Sequence, residues 1–515
     1  MKTCLRALCL LLALLTLSMV IVACDAGAGN TDEQGGGNGG LIDDRYDVNG
    51  RLRDDLPDTL NYEGETISFM RWGDASYPEF EQENVTGDNV RDAVYDRNNQ
   101  IEDRLNVELK FTTVPGPFDP VGSAAYIKHL DAIYQANTQD YDIIASYSRT
   151  QGSFAVQGYL QNLAAIENSY IDLEKPWWPQ QLVETVSFGS GGYYFISGDM
   201  STNVLYMMHL MFLNKDMFSM LQLELPYQSV YDGTWTIDKM IALASGVYND
   251  LDRNNQMSDG DRYGFTAKDY VMDSFYIGSN LHWVDEHETD WLVLSPDYTS
   301  AKTVKLINKL GSFAATEDAW IGSQTVRGSD SQAVEWKLFE DGKALISMQH
   351  ANYAEARLLD AEFEYGLVPV PKYDEKQVNY YTGMGNPWTL YGIFVDFNDR
   401  GDKQATLTML TAVLECFASE AYRLTTPEVF EVNMQLKYAT GQTETDMFEF
   451  IRSGITFDIG KIFGNELSNI SEQPSKAIAA NASWSATSGA YKRAITAQVA
   501  EIVQSFRDYQ AIRDK

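Results

Sequence analysis

The clearest pattern of apolar and polar positions runs from Val334 to Trp388. Residues 334–339 place apolar side chains at helical spacing, and Asp341-Gly342-Lys343 is a turn that ends the helix. Residues 344–348 are continuously apolar, a buried strand, and run into the polar tip Gln349-His350-Ala351-Asn352-Tyr353. A second helix follows, then a buried strand over 365–371 closed by prolines. Gly383-Met384-Gly385-Asn386-Pro387-Trp388 feeds a further strand at 390–395. Polar and aromatic residues therefore stand where strands end, the place where open α/β sheets bind ligands.

The N-terminal half repeats this alternation. Strands are predicted at 66–70, 107–114 and 141–145, and helices at 90–105 and 126–135, with Val94, Ile101 and Leu105 on one stripe. Short connections between them predict a parallel sheet, with Ser146-Tyr147-Ser148 at a carboxyl end. Residues 193–199 read as strand-like and 207–213 as a strand, with 199–202 as the first crossing into a second domain. Trp177-Trp178, set between prolines, reads as a packed surface turn. Trp235 reads as structural and Thr236 as the N-cap of the helix after it. Later helices are predicted at 271–277, 300–313, 402–421, 477–484 and 490–507, the third with Leu407, Leu410, Leu414 and Phe417 on one face.

A chain of 515 residues exceeds one compact core and implies two domains. Its formal charge of −34 argues against nucleic acid or anionic lipid as the main partner. Of four cysteines, Cys4, Cys9 and Cys24 lie in the N-terminal segment. The fourth, Cys416, falls in a helical run and reads as a small buried hydrophobe, so no disulfide framework is expected in the body. Lys2 and Arg6 precede an apolar run over 7–22, the layout of a secretory signal. The Gly-rich, polar stretch 25–40 reads as a flexible leash. The scattered histidines, with His282 and His287 beside Asp285 and Glu286 as surface residues, match no metal template. No phosphate loop, nucleophile elbow or zinc-protease motif is present.

Several of these residues resemble extracellular solute-binding proteins of ABC importers, the sugar-binding type called family 1. Phe339, Gly342, Ala344, Met348, Gly366, Pro369 and Pro371 match its helix–strand–helix–strand pattern, and Tyr141-Asp142-Ile143-Ile144 matches a strand before a ligand-contacting turn. Ile21-Val22-Ala23-Cys24 resembles a lipobox, which implies diacylglycerol on Cys24. The resemblance implies a two-lobed periplasmic-binding-protein-like α/β fold, each lobe a mostly parallel sheet flanked by helices, joined by a multi-strand hinge. The expected division is a signal peptide at 1–23, a tether at 24–60, lobe one at 61–198 and lobe two at 199–382. A return to lobe one at 383–460 and C-terminal helices on lobe two at 461–515 complete it. The implied function is capture of a monosaccharide or oligosaccharide between the lobes and delivery to the transmembrane subunits of a permease. The protein would act as a monomer, lipid-anchored at the extracytoplasmic face of the cell membrane, with no catalysis. Strand ends and family positions together nominate Trp72, Asp74, Tyr147, Asp199, Gln349, Asn352, Trp388 and Trp484 as ligand contacts, since aromatic rings stack on sugar faces and polar groups bind hydroxyls. A secreted carbohydrate-active enzyme is the alternative, although nothing marks the carboxylate pair it would need.

The sharpest chemical motif is the loop 250–261. Asp250, Asp252, Asn254, Gln256, Ser258 and Asp261 fall at the oxygen-ligand spacings of an EF-hand-type loop, which predicts a structural Ca²⁺. Asn255 stands where such loops carry glycine, and Asp261 where they end in glutamate.

Overall fold

Two sheets organise the body, and in both the carboxyl ends of the parallel strands point toward the same gap. The computed structural model describes residues 45–73, 77–116, 120–189, 191–323, 330–395, 402–429 and 441–513. The chain divides into two units, 1–50 and 51–515. In the first, only 45–50 are described, a turn in which Gly50 N donates to Asp47 O at 3.0 Å. Cys24, the signal segment and most of the tether lie outside the described residues.

The first sheet combines β1 (Glu65–Trp72), β2 (Val107–Val114), β3 (Ile143–Tyr147) and, much later in the chain, β11 (Thr389–Ile393). Its order is β11-β3-β1-β2. β1 pairs in parallel with both neighbours, and β11 runs antiparallel to β3 with Thr389 opposite Tyr147. β3 is buried along its whole length and apolar but for Ser146, as suits a strand covered on both faces. Helix α1 (Asn89–Leu105) begins where Asp88 caps Arg91 N at 2.9 Å. It ends at Asn106, whose left-handed φ of 49° suits asparagine. α2 (Pro120–Ala136) and α3 (Ser148–Val156) continue this half.

The second sheet has the order β10-β4-β9-β5-β8, built from β4 (His209–Asn214), β5 (Tyr263–Lys268), β8 (Ala319–Gly322), β9 (Ala344–His350) and β10 (Tyr365–Val368). β5 is parallel to β8 and β9, while β4 is antiparallel to both its neighbours, so His209 lies opposite His350. α4 (Ile237–Ala244) starts from Thr236, whose hydroxyl caps Lys239 N, and buried Trp235 donates its ring N–H to Pro369 O at 2.8 Å. The hairpin β6 (Val284–His287) and β7 (Trp291–Leu294) leads to α5 (Ala301–Ala314), α6 (Ser331–Glu340) and α7 (Tyr353–Arg357). α8 (Lys403–Glu420) packs on α1. α9 (Gln442–Ser453) packs on β10, so the stretch 383–460 is shared between the two sheets rather than held by the first. α10 (Glu472–Ala479) packs on α5, and α11 (Trp484–Arg513) touches β7, α5 and α3. No described helix is long and apolar enough to cross a membrane.

Passages between the sheets lie side by side. Residues 382–385 bond on one edge to 207–209, through His209 N to Gly383 O at 2.9 Å and Gly385 N to Met207 O at 2.8 Å. On the other edge Thr382 N donates to Gly454 O at 2.7 Å, and Thr456 N to Thr382 O at 3.0 Å.

Two expectations are corrected. Residues 193–199 form no strand; Ile196 makes one isolated bridge to Tyr391, and Tyr193, Phe195 and Ile196 are buried by neighbouring loops and helices instead. Trp177 and Trp178 are not at the surface. Both are buried because Glu415 of α8 accepts their ring N–H groups at 3.1 and 3.0 Å, which lets two polar indoles enter the core. Cys416 is a buried free thiol.

Candidate ligand cleft

A cavity of about 750 Å³ opens where the carboxyl ends of the two sheets face each other. β3 delivers Tyr147 to one wall. β9 delivers Gln349 and His350 to the other, with Trp336 from α6 and Asn352 just after the strand. The passage Gly385-Asn386-Pro387 forms the floor. Gly385 is required there, since a Cβ at that position would stand 2.6 Å from His350 Nε2. Tyr77 and Tyr270 add further rings. Tyr77 stacks on Tyr206 at 3.8 Å, and Tyr270 lies over His350 at 6.0 Å.

Polar groups in this cavity are held in place but not used up. Gln349 Nε2 donates to Glu335 Oε1 at 2.5 Å and Ser347 Oγ at 3.1 Å. Lys461 pairs with Asp273 at 2.6 Å, and Glu472 with Arg149 at 2.7 Å. Glu335 Oε2, Asp273 Oδ1, Asn386 Oδ1 and the Nε2 atoms of His209 and His350 are buried with no hydrogen-bond partner among the described residues. The two imidazoles stack at 4.6 Å, and Ser274 Oγ hydrogen-bonds His209 Nδ1. Burial, then the neighbouring cations, hold the His350 pKa down to about 3, so both rings stay neutral at ordinary pH. Orphan acceptors beside aromatic faces suit a ligand rich in hydroxyl groups.

Of the nominated contacts, the structure brings Tyr147, Gln349 and Asn352 together in this cavity. Trp72 lies one layer behind, its ring 5.6 Å from Tyr147 and its N–H donated to Thr389 Oγ1 at 2.9 Å, so it supports Tyr147 rather than lining the cleft. Trp388 is buried against Phe457 at 5.1 Å beside the hinge passage. Trp484 is fully buried, edge-on to Tyr298 at 5.3 Å with its N–H donated to Tyr298 O, and packs α11 instead of reaching the cleft. Asp199 lines a separate hollow of about 260 Å³ with Thr426 and Arg452, where burial pushes its pKa up to about 7. Asp74 lies outside the described residues.

Tyr77, Tyr270, Trp336, His350, Arg357 and Lys461 line the cavity without having been singled out in the sequence. His350 could have been, since it lies in the polar tip after an apolar strand. A larger, more open hollow of about 850 Å³ lies at the far end of the second sheet around Asn214 and Asp341. Asp216, Glu340, Asp341, Asp360 and Glu362 crowd it and Phe363 is its one ring, a poor match to a sugar face.

In the loop 250–261, oxygens of Asp250, Asp252 and Asp261 lie within 4.8 Å of one another. Asn255 there adopts a left-handed φ of 57°, which an asparagine tolerates in the glycine's place. Asn254 Nδ2 donates to Asp252 Oδ2 at 2.9 Å, and the Gln256 backbone N to Asn254 Oδ1 at 2.6 Å. Asp261 is fully buried, so its carboxylate is fixed from beneath. This donor set fits a hard cation.

No protein-family model and no curated protein matches the chain. Solved structures do. The cyclic alpha-maltosyl-1,6-maltose binding protein from Arthrobacter globiformis superposes with a TM-score of 0.54 at 13% identity, over 85% of this chain and 99% of that one. The ABC substrate-binding protein Lmo0181 from Listeria monocytogenes, in complex with cycloalternan, gives 0.52 at 13%, over 84% and 98%. UgpB from Mycobacterium tuberculosis, in complex with glycerophosphocholine, gives 0.51 at 13%, over 85% and 98%. The chain therefore has the two-lobed periplasmic-binding-protein-like α/β fold.

Proposed function

We propose that the protein is the extracytoplasmic substrate-binding component of an ABC importer, and that it captures a carbohydrate in the interlobe cleft and delivers it unchanged to the permease. One observation carries the reading: an aromatic-walled cavity sits at the carboxyl ends of both sheets, spanned by a hinge of adjacent passages. In this fold a ligand that touches both lobes favours the closed arrangement by its differential affinity. The structural neighbours, one named as an ABC substrate-binding protein and another as a cyclic alpha-maltosyl-1,6-maltose binding protein, support the same reading. Cys24 is assigned as the lipid attachment point, which moors a monomeric body at the extracytoplasmic face of the cell membrane. The loop 250–261 is assigned as a structural Ca²⁺ site held by Asp250, Asp252, Asn254, Gln256 and Asp261; the ion would supply charge that fastens the loop and no chemistry.

Titration with a sugar panel, read by intrinsic tryptophan fluorescence and thermal shift, tests the proposal. A bound sugar must raise the melting temperature. Trp336→Ala and Tyr147→Ala should each weaken binding by roughly tenfold, the loss of one stacked ring. Product formation from the bound sugar would replace this reading with the secreted enzyme, and absence of binding to every sugar would refute both.

A further inference from the structure

Helix α3 starts directly after Tyr147, which lines the cleft, and packs on β3 and β11 of the first sheet. Residues 458–472 are held at both ends by the second lobe. They leave it where Asp458 Oδ2 accepts Trp283 N at 3.0 Å, and return at Glu472, where α10 packs on Asp269–Asp273 and α5. In between they wrap α3. A Cβ on Gly152 would stand 2.6 Å from Ile462 O, so the two backbones touch, and Asn465 Nδ2 donates to Ser153 Oγ at 3.1 Å. Arg149 of α3 reaches deepest and is 6% exposed. Its Nη1 donates to Glu472 Oε1 at 2.7 Å and Asn469 Oδ1 at 3.2 Å, and its Nη2 to Ser471 Oγ at 3.1 Å.

We propose that Arg149 is an interlobe latch: in the absence of solute it holds the two lobes at the spacing of this structure, and so sets Tyr147 and Glu472 on the two walls of a preformed cleft.

The hinge passages are continuous chain and cannot part, whereas α3 and residues 458–472 meet only through non-covalent contacts. When the cleft opens, the lobes therefore separate along this surface, and its strongest polar tie sits at the cleft end, since Glu472 lines the cavity. A planar guanidinium gripping three partners fixes the geometry of that tie. Its energy is nearly balanced, because the attraction within a buried pair is offset by the water both ions gave up. Arg149 Nε is buried with no hydrogen-bond partner among the described residues. The Glu472 side chain is 32% exposed and keeps a second partner, Lys476, at 2.8 Å. Separation thus returns Arg149 to water and strands no acid, which suits a contact that is made and broken. A cleft in its binding arrangement for only a tenth of the time binds any solute about tenfold more weakly, so Arg149 raises affinity whatever the cleft takes.

Small-angle X-ray scattering and hydrogen exchange on the full mature chain, with no sugar added, test the latch. Arg149→Met should raise the radius of gyration by about 1 Å, the scale of a modest hinge opening. Exchange should speed several-fold in 148–158 and 462–472, while β9, inside the second lobe, keeps its rate. Arg149→Lys, which keeps the charge but loses the fork, should fall between the parent and Arg149→Met. Glu472→Ala with Ser471→Ala removes two of the three partners and leaves Arg149 in place, so it should open the molecule as well and keeps the test decisive if Arg149→Met fails to fold. An unchanged radius overturns the latch, whatever the melting temperature does: a lower melting temperature with faster exchange throughout the chain would make Arg149 a packing residue. These readouts need no ligand, so failure of the latch leaves carbohydrate binding standing, and failure to bind any sugar leaves the latch standing.

Discussion

Glu79 is the carboxylate that fastens the start of the hinge, and its removal is the most quantifiable perturbation of the molecule. It is buried, and Oε2 accepts from Ser201 Oγ at 2.9 Å, Asn203 Nδ2 at 2.6 Å and Asn203 N at 3.2 Å, while Oε1 accepts from Tyr391 OH at 3.0 Å. One side chain therefore ties the loop before α1 to the first crossing and to β11. Its backbone carbonyl also receives Arg97 Nη2 at 2.8 Å, and Arg97 is wholly buried over Phe417 at 4.1 Å. Burial holds the Arg97 pKa down to about 10, and Tyr391 and then Glu79 oppose that fall, so Glu79 is its counter-charge. In Glu79→Ala the two hydroxyls can turn elsewhere, Tyr391 to Met200 O at 3.3 Å, but both Asn203 N–H donors are stranded. Two orphaned buried donors and the lost counter-charge cost about 4 kcal/mol. In Glu79→Gln the amide oxygen can take the place of Oε2 and its NH₂ can donate to Tyr391, so only charge assistance is lost, about 1–2 kcal/mol. For a body of this size one kcal/mol moves the melting point by roughly 1 °C. Calorimetric melting should thus show a fall of about 4 °C for alanine and about half that or less for glutamine. Equal losses in the two variants, or an alanine loss below about 1 kcal/mol, would refute the reasoning.

Further tests follow from the cleft histidines and the acidic loop. The depressed pKa of His350 means that its stability contribution is intact above pH 6.5 and is lost as pH falls below that value toward about 3, by about 2 kcal/mol at pH 5. Because Glu335 and Glu415, with raised pKa values, act in the opposite sense, the measurement is a difference: His350→Phe should lose about 2 °C less than the parent between pH 7.5 and 5, and parallel curves would contradict it. Chelation with EGTA should lower the melting temperature by a few degrees and restored Ca²⁺ should reverse it, while Asp250→Asn combined with Asp261→Asn should make the protein indifferent to both. A parent protein blind to chelator would remove the ion from the loop.

Much of the fold was legible because its strands are extreme. β2 spans the predicted 107–114, and β3, β4, β5 and β9 are largely apolar and buried almost end to end, as only a strand covered on both faces is. The errors fall where burial comes from distant partners. Trp177-Trp178 between prolines has the local chemistry of a turn, and nothing near it in sequence announces that Glu415, more than two hundred residues on, takes both indole protons. Residues 193–199 have strand composition but meet their neighbour at one bridge, because the hinge diverts the backbone into the crossing.

The cleft was half legible for a related reason. A rule about carboxyl ends finds residues whose position on a strand decides their role, and Tyr147, Gln349 and Asn352 are of that kind. It does not separate a ring that faces the gap from a ring one residue further back, so Trp72 and Trp484, with ring N–H groups satisfied by Thr389 and Tyr298, look the same in sequence as Trp336. What distinguishes Trp336 is the company it keeps. Lys268 from β5 and Arg357 from α7 converge on its ring from separations of 68 and 21 residues, and the sheet order β9-β5-β8 brings them there. A site assembled from the ends of several strands therefore appears in one sequence as scattered single residues, each with an ordinary structural role. Its chemistry, two cations on one indole beside neutral imidazoles, exists only once the strands are placed.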